Sequence, residues 1–242
     1  MVGSGSAGGI QMTYFLTPAK SNAKTAKTAE EVESVILHLA PSDLSGRDVC
    51  PFASSGCRSS CLNTSGRGTM ETVQSARIRK TNLLIDNKTE FWRLLVDDLA
   101  RLEQRAKKKG LSAAARLNGT SDLPWERMRE PNSGLTVFEM FPAVTFYDYT
   151  KIPNRRSLPN NYHLTFSLSE DNEKLAKAEL ADGVNVAVVF DSEHYPSRFM
   201  GFPVIDGSQS DLRYLDPIGC VVALCAKGKA KQDTSGFVRK VA

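Results

Sequence analysis

The segment CPFASSGCRSSC brings three cysteines, Cys50, Cys57 and Cys61, close together on a polar loop that contains glycine. Their spacing, C-x6-C-x3-C, lets three thiolates surround one compact inorganic centre. Structural zinc prefers paired C-x2-C elements and four protein ligands, and the chain has no second pair. A cubane iron–sulfur cluster held by three cysteines leaves one iron free for a further ligand, and soft thiolates suit it. We therefore expect a [4Fe-4S] cluster here, with zinc and metal-free thiols as the alternatives.

The other cysteines and the histidines offer few candidates for a fourth ligand. Cys220 and Cys225 stand in the apolar stretch GCVVALCA, where cysteine usually fills space in a core. Five residues apart on a strand, they point to opposite faces, so at most one could reach a cluster. Cys225, nearer the strand end, is the better candidate. The histidines at positions 38, 163 and 194 are scattered and predict no histidine-rich metal centre.

The composition indicates one soluble domain. The chain has 242 residues, of which 41% are hydrophobic and 24% charged, enough to bury a sizeable core. Its longest apolar runs are far shorter than the roughly 20 residues that span a membrane. Five cysteines, three of them clustered, favour a reducing cytoplasm over a secreted disulfide framework. Residues 1–11 are rich in Gly and Ser and are expected to be an artificial linker or a disordered leader, ahead of a single α/β iron–sulfur domain at 12–242.

The charge predicts the class of partner. A net charge of +4 is a mild excess spread along the chain. The densest basic cluster, RAKKKG at 105–110, ends a predicted helix, where cations interact favourably with the helix dipole and with solvent. We expect a small-molecule substrate as partner, with neither a nucleic acid nor a membrane. The sequence does not define the oligomeric state.

The hydrophobic pattern alternates between strands and helices. The stretch VESVILHL (32–39) is typical of a strand, and the cysteine loop follows it directly. Two helices come next, the second starting at Asn87 or Thr89 and ending at Gly110. Further strands are predicted at 112–119, 143–149, 161–169, 183–190, 201–206 and 219–226, with helices at 133–141 and 170–182. Strands apolar on both faces predict a parallel sheet covered by helices. With seven or eight strands, we favour a full or partial parallel (β/α) barrel with the metal site at the carboxyl ends of its strands.

Polar residues at the strand ends would meet the cysteines on one rim of such a barrel. Asp148, between two tyrosines in FYDYTK, is a candidate general base, and a capped turn or an ion pair is the alternative. Asn118 and Asp122 in LNGTSD are the other candidate catalytic residues, since a plain turn rarely needs so many hydrogen-bonding side chains. The candidate substrate-binding residues are Thr120, Ser121, Ser167 and Lys227.

Several separate motifs resemble one family. The segments DLSGRDVCPFASSGCRSSCLNTSGRG, RLNGTSDLPWE, FYDYTK, NYHLTFSLSE and PVIDGSQSDLRYLDP together are similar to the phage-encoded Gp88-type (gene 88 product) family. The resemblance covers nearly the whole chain, from Asn22 to Val238. It implies a phage origin, a metal site and a location in the host cell cytoplasm. Cysteine is not typical of that family at positions 220 and 225, which favours the three-cysteine site.

These observations predict an iron–sulfur enzyme. The open iron would act as a Lewis acid in the hydrolysis of a small ester-like substrate. One alternative is a radical enzyme that binds S-adenosylmethionine on the open iron, since such enzymes also carry three cysteines after the first barrel strand. Their usual spacing is C-x3-C-x2-C, however, and the Gly-Gly-Glu element of their second strand is replaced here by LNGTSD. A second alternative is a non-enzymatic iron–sulfur or zinc-binding module of a phage. No G-x-S-x-G elbow occurs in the natural part of the chain and no P-loop is present.

Overall fold

The computed structural model describes residues 14–18 and 31–241, so the leader expected at 1–11 lies outside the described residues. In this part of the chain nine strands form one sheet. The strands are β1 (Thr17–Pro18), β2 (Val32–Ile36), β3 (Ser112–Arg116), β4 (Val144–Thr150), β5 (Tyr162–Ser167), β6 (Val186–Phe190), β7 (Arg198–Phe199), β8 (Phe202–Asp206) and β9 (Val221–Cys225). The helices are α1 (Ser42–Ser45), α2 (Ser55–Ser59), α3 (Glu71–Asp86), α4 (Lys88–Lys109), α5 (Val137–Met140) and α6 (Glu173–Ala181).

The sheet is mostly parallel. Its strand order is β1-β2-β3-β4-β5-β6-β9-β8-β7, and every pairing from β2 to β8 along that order is parallel. The short strands β1 and β7 pair antiparallel at the two ends, and the sheet is not closed. The α/β class and the parallel sheet are confirmed, whereas the finer description as a barrel stays a prediction. Parallel pairing brings the carboxyl ends of seven strands to one edge.

Helix α4 begins and ends where its sequence predicts. Asn87 precedes the helix, and its Oδ1 accepts a hydrogen bond from the Glu90 N–H (3.2 Å). Lys107–Lys109 occupy the last turn, and Gly110 ends the helix with a φ of 68°, which glycine adopts without strain. Strand β3, by contrast, ends at Arg116 rather than at 119, because the chain turns there to form the network around Asn118 described below.

The two faces of the sheet pack against different partners. Side chains alternate along β4, so that Phe146 joins the core beneath α4, together with Trp92 and Leu99. Tyr147, the next residue, faces the other way and packs against Leu212 in the segment that leads into β9. A second helix-side core lies between α6 and the strands β5, β6 and β9. The loops at the carboxyl edge are therefore carried by a sheet that is packed on both faces.

None of the described helices combines the length and the apolar character needed to cross a bilayer.

Candidate functional site

The cysteine loop lies across the carboxyl edge of β2 and β3. The Asp122 N–H donates to the Val49 carbonyl (2.8 Å), and the Cys50 Sγ lies 3.9 Å from the Thr120 carbonyl oxygen. Cys57 lies within the short helix α2, and Cys61 immediately precedes a 3₁₀ turn, Leu62–Thr64. The turn after β3 thus supports the segment that carries Cys50.

The three thiols are free and lie within electrostatic reach of one another. Burial raises the pKa of Cys50 to about 12, and the charges of Asp122, Cys61 and Cys57 act in the same direction. Burial also raises the pKa of Cys61; a hydrogen bond from the Asn63 backbone N–H opposes that rise, and Cys57 adds to it. Cys50 and Cys61 are therefore neutral thiols when no cation is present, and a metal centre that binds them as thiolates releases their protons.

The described side chains do not form a site for a single ion. Within residues 14–18 and 31–241, no group of three or more His, Cys, Asp and Glu residues is arranged to hold one metal ion. A single zinc ion draws its donors to about 2.0–2.3 Å from one point. A cubane cluster would instead take each cysteine on a different iron, so this finding concerns a single ion and not a cluster.

Glu170, which follows β5, fixes the helix that carries Cys57. Its Oε1 accepts hydrogen bonds from the Gly56 N–H (2.7 Å) and the Ser55 hydroxyl (3.3 Å), and its Oε2 accepts one from the Ser54 hydroxyl (2.8 Å). The Ser54 Oγ in turn accepts a hydrogen bond from the Cys57 N–H (3.1 Å) and caps α2. The position of Cys57 therefore depends on a carboxylate more than 100 residues further along the chain.

Two glycines allow the C-terminal segment to approach the cysteine loop. A Cβ atom at Gly56 would lie 2.2 Å from the Ser235 Oγ and 2.8 Å from both carboxylate oxygens of Glu170. A Cβ atom at Gly228, whose φ is 57°, would lie 2.8 Å from the Ser65 Cβ. Neither position has room for a side chain, so both contacts are part of the architecture around the cysteines.

Arg58 joins the first and third cysteines. Its guanidinium donates to the Asp48 carboxylate (3.1 Å) and to the Cys50 carbonyl (3.2 Å). The Arg58 carbonyl accepts a hydrogen bond from the Cys61 N–H (3.3 Å). One residue thereby fixes the backbone at both ends of the cysteine segment.

Arg77 of α3 supplies a buried positive charge beside Cys61. Its side chain donates to the Asn63 Oδ1, while its Nε is buried and has no hydrogen-bond partner among the described residues. No carboxylate in the described part of the chain forms an ion pair with it; its electrostatic neighbours include Cys61, the buried Lys80 and His38. Burial lowers the pKa of Arg77, and the Cys61 charge opposes that change. Because a buried cation without a counter-charge is costly, these residues fit an anionic, thiolate-bound cluster.

Asn118, Ser121 and Asp148 come together in a buried network rather than at an exposed rim. The Asn118 N–H donates to the Asp148 Oδ1 (2.6 Å). The Asn118 Oδ1 accepts from the Ser121 hydroxyl (2.9 Å), the Leu123 N–H (3.0 Å) and the Trp125 indole (3.1 Å). The polar atoms of Asn118 are thus fully used inside the protein, and this side chain orders the turn.

Asp148 has no exposed surface. Its Oδ2 accepts a hydrogen bond from the Tyr162 hydroxyl (3.0 Å). Burial raises the pKa of Asp148 to about 7, although the Asn118 N–H and the Arg116 charge act in the opposite direction. The side chain lies on the face of β4 that also carries Phe146, and it meets the end of β3 rather than the cysteine loop.

Asp122 and Thr120 do lie beside the cysteines. The Asp122 carboxylate accepts hydrogen bonds from the Thr150 hydroxyl (2.8 Å) and the Lys151 N–H (2.7 Å), and it lies within electrostatic reach of Cys50. Burial raises the pKa of Asp122 despite these hydrogen bonds. The Thr120 hydroxyl donates to the Leu39 carbonyl (2.5 Å). Among the predicted catalytic residues, Asp122 is therefore the one whose charge acts on the Cys50 thiol.

The remaining predicted residues are more peripheral. Ser167 ends β5, and its carbonyl accepts from the Asn172 side chain (3.0 Å). Lys227 is exposed at the start of the 3₁₀ turn Gly228–Gln232. Cys220 is buried before the amino end of β9, far along the strand from Cys225, whose Sγ lies 3.7 Å from the Ala226 carbonyl. In the described part of the chain, neither Ser167 nor Lys227 is hydrogen-bonded to Cys50, Cys57 or Cys61.

Sequence patterns did not indicate Arg77 or the positional role of Glu170. Lys151 lies within electrostatic reach of Cys50 and Cys61, with its Nζ 5.6 Å from the centre of the Phe237 ring. Its place directly after β4 is the feature of the sequence that could have indicated it. Arg77 carried no signal, because one arginine in an amphipathic helix is usually exposed.

Comparison with known proteins gives one result. No curated protein and no solved structure matches the chain. The model of one family, described as Gene product 88, matches residues 16–241, which include the cysteine loop, the LNGTSD turn, Glu170 and the C-terminal segment. Since the match extends over nearly the entire sequence, the chain belongs to the Gene product 88 family.

Proposed function

We propose that this protein is an iron–sulfur enzyme that hydrolyses a small ester-like substrate. Cys50, Cys57 and Cys61 would hold a [4Fe-4S] cluster by three of its irons and leave the fourth to the substrate. The observation that carries the proposal is the pairing of three free, partly buried thiols with the buried, uncompensated charge of Arg77. Burying such a cation among neutral groups is unfavourable, whereas an anionic cluster beside it would compensate its charge.

The groups beside the cysteines suit acyl transfer to water. The cluster, when bound, supplies a Lewis-acid iron. Asp122 is the group placed to take a proton from the attacking water at a carboxylate oxygen, since burial has already raised its pKa. The Lys151 ammonium would stabilise the negative charge that develops on the substrate carbonyl oxygen. A bond forms from water oxygen to carbonyl carbon, the ester bond breaks, and the proton passes from Asp122 to the leaving alcohol.

Asp148 has a different part in this proposal. Because its carboxylate is buried and bonded to Asn118 and Tyr162, it orders the turn that carries Thr120 and Asp122 rather than acting as the general base. A partial barrel, with the site at the carboxyl ends of its strands, is the form of the sheet that best accommodates a substrate there. The proposed location is a reducing host cytoplasm, where thiols such as these stay available for a metal.

A radical S-adenosylmethionine enzyme is the second candidate. One observation favours it: three cysteines lie on the loop after the first parallel strand of the sheet. Its weakness is the turn after β3, where Asn118 and Ser121 are engaged with each other and no Gly-Gly-Glu element is present to bind the methionine amine. A zinc site or a non-catalytic module are the further outcomes that an experiment must separate.

Anaerobic purification followed by iron and sulfide analysis and an ester assay tests the proposal. Hydrolysis of p-nitrophenyl acetate without any reductant supports the Lewis-acid enzyme, whereas reductant-dependent cleavage of S-adenosylmethionine supports the radical enzyme. Cys57→Ala should lose cluster and activity together, while Cys220→Ala, at the buried cysteine that precedes β9, should keep both. Zinc in place of iron, or hydrolysis equal in the Cys57→Ala protein, would reject the proposal.

A further inference from the structure

Arg77 is placed to act on Cys61 rather than on solvent. It lies on the inner side of α3 and is 9% exposed, whereas Arg79, two residues further along the same helix, is exposed. In the described part of the chain its side chain has a single hydrogen-bond acceptor, the Asn63 Oδ1, and its Nε faces a buried region with no partner. A long cationic side chain is ordinarily buried only when something compensates its charge.

Asn63 connects Arg77 to the third cysteine. It is 3% exposed, its side-chain oxygen accepts from Arg77, and its backbone N–H donates to the Cys61 sulfur. Its backbone carbonyl lies so close to Gly68 that a Cβ atom there would be 2.6 Å away. Asn63 therefore holds Arg77 with its side-chain carboxamide and the Cys61 sulfur with its backbone N–H, which keeps the cation and the third cysteine close together.

The charge at this position matters because a cluster changes charge when it is reduced. Three thiolates make the site anionic, and an added electron increases the negative charge. A cation held in a buried, low-dielectric position stabilises the more negative state more strongly than a cation at the surface does. Lys151 is the other cation within electrostatic reach of Cys61, but it is half-buried and its Nζ lies against the Phe237 ring.

We propose that Arg77 is a positioning residue whose buried charge compensates the cluster at Cys61 and thereby sets the reduction potential of the cluster, with Asn63 holding both groups in place. This inference rests on the proposed function, since it requires the cluster. It adds that the buried cation stabilises the more negative of the charge states of the cluster. Arg77 itself touches neither substrate nor cluster; its charge acts through space on Cys61.

The test compares reduction potentials and electron paramagnetic resonance spectra of the anaerobically purified full chain. Arg77→Gln should shift the oxidised-to-reduced equilibrium toward the oxidised cluster by about tenfold, equivalent to a potential about 59 mV lower. Arg79→Gln removes the same charge from the exposed face of α3 and should leave the potential unchanged. Asn63→Asp retains the hydrogen bond to Arg77 but neutralises its charge, so it should lower the potential as well, even if Arg77→Gln does not fold.

The outcomes separate this inference from the proposed function. A wild-type protein with iron and sulfide whose potential is the same in Arg77→Gln, Asn63→Asp and Arg79→Gln overturns the role of Arg77 and leaves the cluster in place. Equal shifts in Arg77→Gln and Arg79→Gln also overturn it, because they would reflect overall charge alone. A wild-type protein without iron and sulfide overturns the proposed function and this inference together.

Discussion

Replacing Glu170 by glutamine tests whether the cysteine loop is held by the loop after β5. The carboxylate accepts hydrogen bonds from the Gly56 N–H (2.7 Å) and the hydroxyls of Ser54 (2.8 Å) and Ser55 (3.3 Å). Glutamine offers one oxygen and turns an amide N–H₂ toward the remaining donors. Hydrogen bonds to charged groups contribute about 1.5–3 kcal/mol each. Losing the charge and one strong bond should cost about 2 kcal/mol.

The cost should appear mainly in the affinity for the cluster. In the loaded protein a bond from Cys57 to iron holds α2 in place, whereas the metal-free protein depends on Glu170 to keep the helix ordered. About 2 kcal/mol corresponds to roughly 30-fold weaker retention. We would measure iron release to a chelator under anaerobic conditions, with Glu193→Gln, an exposed glutamate, as the matched control. Iron release from Glu170→Gln at the rate of wild type and Glu193→Gln would refute the reasoning.

Two further substitutions test the packing and the buried charge. Gly56→Ala places a Cβ atom 2.2 Å from the Ser235 Oγ and 2.8 Å from the Glu170 carboxylate oxygens. We expect urea denaturation to show a free energy of unfolding about 1–3 kcal/mol lower, and the iron content to fall. A variant as stable as wild type would contradict the close approach. Burial raises the pKa of Asp148 in the folded protein from 3.8 to about 7. Between these two pH values the folded protein binds a proton that the unfolded chain lacks. The free energy of unfolding therefore falls as the pH rises from about 4 to about 7. The total fall is about 4 kcal/mol. Asp148→Asn removes that ionisation and should make the free energy of unfolding nearly constant over this pH range. The same pH dependence in Asp148→Asn as in wild type would contradict the prediction.

Local patterns predicted the α/β class and the mostly parallel sheet, whereas the role of the three cysteines stays a prediction. Helix α4 follows from its own sequence, because the Asn87 cap, the apolar spacing and Gly110 are all within the helix or next to it. The three cysteines lie within one short segment, so few chain conformations separate them. The parallel sheet follows from strands that alternate with helices and are apolar on both faces.

Long-range contacts were beyond such patterns. Glu170 binds the cysteine helix from a distance of 114 residues in sequence to Gly56, and nothing in either segment specifies the pairing. The turn LNGTSD was predicted to be catalytic because of its polar density. In the structure, the Asn118 side chain accepts hydrogen bonds from buried groups of the protein. A structural Asn and a catalytic Asn differ in their burial and in their hydrogen-bond partners. One sequence alone shows neither the burial nor the partners.

The central claim is that Cys50, Cys57 and Cys61 hold an iron–sulfur cluster. Its most direct test is the iron and acid-labile sulfide content of the folded protein purified without oxygen. We expect about four of each per chain, lost on Cys57→Ala and kept on Cys220→Ala. A colourless, folded protein that contains neither iron nor sulfide would contradict it.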